Sequence, residues 1–136
     1  ADELLRLAFK VKGPHRLALV TDAMRGLDCP DGPYEFGPKE LGETVLKRDG
    51  VGLTLDGKAL ASAVAGMDEG FRTMLRATGA APYVVATMAS LTPARIAGLE
   101  GFVGSLQVGK KADFVLLDEA LNVRETWVGG QPVFIA

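Results

Sequence analysis

α/β sheets and barrels place reactive groups at the carboxyl ends of buried strands. Asp22 meets that description, because it follows the apolar run Leu17-Ala18-Leu19-Val20 and then Thr21. A carboxylate there serves as a general base or a metal ligand. Aspartate at a strand end also caps the turn that follows, and pattern alone leaves both roles open. The other candidates point to structure. His15 is the sole histidine and stands beside the turn Gly13-Pro14, so no His₂ or His₃ metal site can be built from this chain alone. Cys29, the sole cysteine, precedes Pro30 and has no histidine near it in sequence. It reads as a loop or buried thiol. Lys110-Lys111 reads as a solvated turn pair, and Trp127 as a residue that packs a small core on a tail strand. There is no G-x-x-x-x-G-K-S/T phosphate loop and no dinucleotide fingerprint.

The elements that would position Asp22 follow from periodicity. Leu4, Leu7, Ala8 and Val11 recur at helical spacing, with Gly13-Pro14 as a stop. The run 16–22 then reads as a buried strand of a parallel sheet. Residues 25–43, rich in Gly, Pro and Asp, read as a loop. From Val45 to Leu55 the pattern predicts a hairpin turning at Asp49-Gly50. Met67, Phe71, Met74, Leu75 and Thr78 share one helical face, with Asp68 and Glu69 in the first turn and Gly79 as the stop. Pro82 opens a further helix. Thr92-Pro93 reads as an N-cap and first-turn proline for a short helix that ends near Gly98. From Gly101 the pattern turns to strands: a buried strand at 113–118, then a hairpin across Gly129-Gly130.

Composition sets the outer bounds. The 136 residues are 48% apolar and 24% charged, in the range of one globular domain or part of one. A complete (β/α)₈ barrel needs about 250 residues. The net charge of −2 gives no basic excess for nucleic acid or an anionic membrane. No apolar run exceeds four residues, so nothing spans a bilayer as a helix. A single cysteine suits a reducing compartment, and the expected location is the cytoplasm. The first residue is not Met, and the chain opens inside a helix with no cap before it. The expectation is a piece of a longer protein.

Four segments, in order along the chain, carry a resemblance. Leu19-Val20-Thr21-Asp22-Ala23-Met24 resembles the last barrel strand of the N-acetylglucosamine-6-phosphate deacetylases, members of the metal-dependent amidohydrolase superfamily. Met88-Ala89-Ser90-Leu91-Thr92-Pro93-Ala94-Arg95 resembles their late helical motif. The stretch from Gly104 to Asp113 (GSLQVGKKAD) is similar to the segment by which amidohydrolases re-enter their small β domain, and 127–133 resembles the family's terminal strand pair. The later motifs are shared by many amidohydrolases. The Val-Thr-Asp-Ala-Met segment, with the hairpin after it, points to the sugar deacetylases.

The resemblance implies an α/β fold: the C-terminal part of a (β/α)₈ barrel over residues 1–100, and strands of a small β-sandwich over 101–136. It implies a divalent metal, zinc, iron or similar, held by a Glu and two His upstream, so no metal is expected on this chain alone. Asp22 matches the residue that takes a proton from metal-activated water and then gives one to the departing amine. The implied reaction converts N-acetylglucosamine 6-phosphate to glucosamine 6-phosphate and acetate. Leu60, Ala61 and Ser62 match a substrate-contacting Leu-Ala/Ser-Gly-Ser segment, with Ser62 in place of the glycine and Ala63 in place of the serine. An ordinary loop before a helix is the structural alternative for that segment. The implied partners are a second copy, as a homodimer, or the rest of the barrel. The rival readings are an amidohydrolase acting on another amide or a cyclic imide, and a non-catalytic interaction domain.

Overall fold

A computed structural model describes residues 2–38 and 40–136. The chain is α/β, with two antiparallel sheets and four helices among the described residues. It divides into two compact units. One comprises Ala1–Leu19 and Asp68–Ala136, the other Val20–Met67.

The first unit is built on α1 (Asp2–Lys12), α2 (Met67–Thr78), α3 (Pro82–Ala89) and α4 (Leu91–Ile96). The helical periodicity of the sequence is realised in all four. Met74, Val85 and Met88 form the buried centre, with Leu5, Phe9, Leu17, Leu19, Phe71 and Leu75 packed against it. Deep burial of two flexible methionines and a valine removes apolar surface from water, and that removal is the main driving force for closing the helices together. Gly79 ends α2 as expected: at φ +67° its N–H donates to the Leu75 carbonyl at 2.9 Å. The cap of α4 differs from the sequence reading. Ser90, not Thr92, precedes the helix, and the Ser90 hydroxyl donates back to the Ala86 carbonyl. Thr92 is fully buried inside α4, and its hydroxyl donates to the Pro14 carbonyl at 2.6 Å. A buried hydroxyl must find an acceptor, and this one ties the turn after α1 to α4.

The expected buried strand at Leu17–Val20 is extended backbone with no strand partner. Its bonded group is the Leu19 N–H, which donates to the Met88 carbonyl at 2.9 Å, and Val20 is 80% exposed. Apolar content predicted burial; a ladder also needs a neighbouring strand, and none of the described strands lies beside this run.

A three-stranded antiparallel sheet of β5 (Phe114–Leu117), β6 (Val123–Val128) and β7 (Gln131–Ile135) completes this unit. Gly129 and Gly130, both at positive φ, make the two-residue turn between β6 and β7. β5 is not the buried strand expected: Val115, Leu116 and Leu117 are exposed, and only Phe114 is half-buried, stacked on Trp127 with ring centroids 5.5 Å apart. The turn before β6 is anchored from α2. Arg72 donates to the Leu121 carbonyl at 3.1 Å and to Asp68 Oδ2 at 2.7 Å. Leu121 sits at φ +65°, a costly conformation for a leucine, held by this contact and by the Asp118–Asn122 bonds around it.

In the second unit β1 (Gly32–Phe36), β2 (Glu43–Arg48), β3 (Val51–Thr54) and β4 (Leu60–Ala63) form an antiparallel sheet in sequence order. The Asp49-Gly50 turn is as read from sequence: both residues are at positive φ and join the paired Arg48 and Val51. β1 falls within the stretch read as a loop. Its Pro33 argues against a central strand but is tolerated here because β1 is an edge. Leu60–Ala63 is an edge strand and not the loop that its position before a helix suggested.

The Arg72 hydrogen bond is the leading cause that holds the Asp68 carboxyl below the usual carboxylate range. Its folded pKa lies below the unfolded value, so the pair's contribution is complete above about pH 4 and is lost as pH falls through the folded pKa. We expect Arg72→Met to flatten the acid limb of a stability–pH profile measured by urea unfolding; an unchanged limb would contradict this role.

Candidate active site

The residues that sequence reasoning singled out for the site lie in the second unit, and the chain brings two of them into direct contact. Residues 21–24 lie beside β4. The Ala63 N–H donates to the Asp22 carbonyl and the Met24 N–H donates to the Ala63 carbonyl, each at 3.0 Å, forming a parallel bridge between Ala23 and Ala63. The Ser62 hydroxyl donates to the same Asp22 carbonyl at 2.7 Å. Both lone pairs of that oxygen are therefore used.

Asp22 itself is at φ +52°. Aspartate is among the few residues that tolerate the left-handed region, at a cost of about 1–2 kcal/mol for a residue with a Cβ. Its carboxylate does not cap the turn. The N–H of Ala23 donates instead to Thr21 Oγ1 at 3.3 Å, and the Asp22 side chain is exposed. Among the described residues none hydrogen-bonds the Asp22 carboxylate, while its main chain is bound.

The segment that follows Asp22 is also pinned. Met24 is buried, and Gly26 lies under the Tyr34 ring, where an added Cβ would come within 2.9 Å of it. Lys47 donates to the Gly26 carbonyl at 3.0 Å and to the Cys29 carbonyl, and the Tyr34 hydroxyl donates to the Pro30 carbonyl at 2.6 Å. Desolvation, with the Cys29 thiol beside it, raises the Tyr34 phenol above its ordinary value.

Of the segment matched to substrate contact, Ser62 is buried against Asp22, Ala61 is half-buried and Leu60 is exposed. Sequence reasoning passed over Gly52, which pairs with Ser62 across β3 and β4 where the register shifts. A Cβ there would stand 3.0 Å from the Ser62 carbonyl oxygen and 3.3 Å from Ser62 Cβ. A lone glycine inside a strand pattern was the available signal.

The remaining candidates stand apart from this group. His15 is exposed, with Nδ1 3.4 Å from an Arg95 guanidinium nitrogen. Cys29 is an exposed free thiol. Trp127 Nε1 donates to Glu125, consistent with a packing role. Lys111 is exposed, but Lys110 is half-buried and donates to Ser105 Oγ at 2.7 Å, so the pair is not simply solvated. Among the described residues no group of three or more His, Cys, Asp or Glu side chains could hold a metal ion. No helix among the described residues is long and apolar enough to cross a membrane.

Residues 40–133 match the Amidohydrolase family. The chain belongs to that family. This amidohydrolase chain is 41% identical over 116 residues to an N-acetylgalactosamine-6-phosphate deacetylase from Escherichia coli O157:H7, covering 85% of this chain and 29% of that protein. It is 38% identical over 133 residues to the Homo sapiens N-acetylglucosamine-6-phosphate deacetylase, covering 97% of this chain and 31% of that one. The crystal structure of the Thermotoga maritima N-acetylglucosamine-6-phosphate deacetylase superposes with a TM-score of 0.88 at 31% identity, over 100% of this chain and 36% of that one. The chain thus spans about a third of the length of these three proteins.

The geometry fixes what substitution at Asp22 does to stability. Asparagine keeps the left-handed preference and removes no hydrogen bond seen here, so Asp22→Asn should unfold within about 0.5 kcal/mol of the parent. Asp22→Ala should lose about 1 kcal/mol from backbone strain. Denaturant titration checks both, and an Asn variant as destabilised as the Ala variant would contradict the description of this residue.

Proposed function

We propose that the protein to which this chain contributes hydrolyses the acetamide of N-acetylglucosamine 6-phosphate, giving glucosamine 6-phosphate and acetate. The observation that carries the reading is the Asp22 carboxylate, exposed on a backbone position whose carbonyl is held twice by β4. In this role Asp22 accepts a proton from the attacking water and then returns one to the departing amine nitrogen. Water is a poor nucleophile and an amine anion a poor leaving group, so one carboxylate that serves both atoms in turn lowers both barriers. In this reading Leu60, Ala61 and Ser62 form the substrate-contacting segment, Ser62 through its main chain, because its hydroxyl is bound to the Asp22 carbonyl.

Residues 1–100 are proposed as the C-terminal part of a (β/α)₈ barrel and 101–136 as strands of a small β-sandwich. The long coverage of deacetylase relatives, whose own chains are about three times as long, supports this. The divalent metal generally used by amidohydrolases, zinc, iron or similar, is proposed to take its ligands from upstream sequence. A cytoplasmic location, and a homodimer or association with the rest of the barrel, complete the proposal.

A second reading differs at one stereocentre of the substrate. The 41% identity to an N-acetylgalactosamine-6-phosphate deacetylase favours the galactosamine epimer. Acetate release by the full-length enzyme, measured on both sugar phosphates, decides between them. On the preferred substrate Asp22→Asn should lower kcat by a factor on the order of 10² to 10⁴ with the fold intact. Turnover near the parent value would overturn the acid–base assignment.

A further inference from the structure

We propose that Ser62 is a positioning residue for Asp22, an inference that rests on the acid–base reading of that aspartate. Ser62 is 9% exposed, and its hydroxyl is committed to one strong bond, 2.7 Å to the Asp22 carbonyl across 40 residues of sequence. The oxygen of its neighbour Ala63, at 3.5 Å, is too far to compete.

Asp22 needs such a hold. At φ +52° it occupies a minor basin of the backbone map, and an exposed carboxylate has no packing of its own to keep it aimed. The Cα–Cβ direction of a residue depends on the peptide planes that flank it, and the plane after Asp22 is the one held here. Its Ala23 N–H donates to Thr21 Oγ1 at a long 3.3 Å. On the other side of the same plane the Asp22 carbonyl is bound from two directions, by the Ala63 N–H and by the Ser62 hydroxyl. The hydroxyl bond is the shortest of the three and adds a second direction to that of the Ala63 amide, which restrains rotation of the plane.

Ser62 is itself located by close packing. Gly52 stands opposite it with no side chain, and a Cβ at that position would crowd Ser62 and approach the buried Met24 sulfur at 3.4 Å. The hydroxyl thus comes from a rigid strand pair and acts on the one residue of the group that carries proton chemistry.

A double-mutant cycle in the full-length enzyme tests this, using Ser62→Ala, Asp22→Asn and both together, with N-acetylglucosamine 6-phosphate and its galactosamine epimer as substrates. Ser62→Ala should lower kcat about tenfold through misaimed proton transfer. KM should stay within about twofold, because ground-state binding is not lost. In the Asp22→Asn background the same change should cost nothing further, because the group it positions is already gone. Ser62→Thr keeps the hydroxyl and should recover most of kcat; if that variant is melted at the assay temperature, Ser62→Gly should match Ser62→Ala. A fall in Tm with kcat unchanged, or an additive loss in the double variant, would overturn the proposal. If Asp22→Asn abolishes turnover while Ser62→Ala does not, the positioning role fails and the acid–base reading stands. If Asp22→Asn keeps full turnover, both fall.

Discussion

One carbonyl oxygen organises the candidate site. The Asp22 carbonyl accepts from the Ala63 N–H and the Ser62 hydroxyl, and that pair of bonds joins the segment after the first unit's extended run to the far edge of a four-stranded sheet. An amide–carbonyl bond contributes only about 1 kcal/mol net in water. Its importance here is directional. It holds a left-handed aspartate that would relax elsewhere if left to its own backbone preference. The side chain itself faces solvent.

The sheet that supplies those donors is arranged around close approach. Gly52 permits β3 and β4 to come together where their register shifts, and Gly26 permits Tyr34 to lie over the loop after Asp22. Lys47 gathers two carbonyls of that loop onto one ammonium. None of these residues reacts; each removes a way for the Asp22 segment to move. The first unit works by a different rule, with Met74, Val85 and Met88 buried among side chains of α1, α2 and the run at Leu17 and Leu19, and Thr92 tying the turn at Pro14 to α4. Apolar burial fixes its elements, whereas hydrogen bonds fix the site.

Much of this was legible in the sequence, for physical reasons that also explain what was not. The helices, the Asp49-Gly50 hairpin and the Gly129-Gly130 hairpin follow from local periodicity and from the positive φ their turns demand. Asp22 and Ser62 were legible as separate candidates, and their contact was not, because no local pattern reports a bond across 40 residues. β1 was hidden by Pro33, which is harmless only on an edge. The run Leu17–Val20 is extended, as read, but unpaired among the described strands: apolar content signals burial, while a ladder needs a partner that the run itself cannot supply. Thr92 was misread as a cap because Thr before Pro is a common helix start, and only tertiary packing placed its hydroxyl on Pro14. The left-handed backbone at Asp22 had no sequence marker stronger than the aspartate itself.

The central claim is that β4 holds the Asp22 backbone under an exposed carboxylate, and amide hydrogen exchange tests that hold most directly. The N–H groups of Ala63 and Met24 should exchange slowly and together with those linking β3 to β4, as members of one cooperative unit. Exchange of either at the rate of unstructured chain, while the sheet remains protected, would mean that Asp22 is not held and would contradict the account.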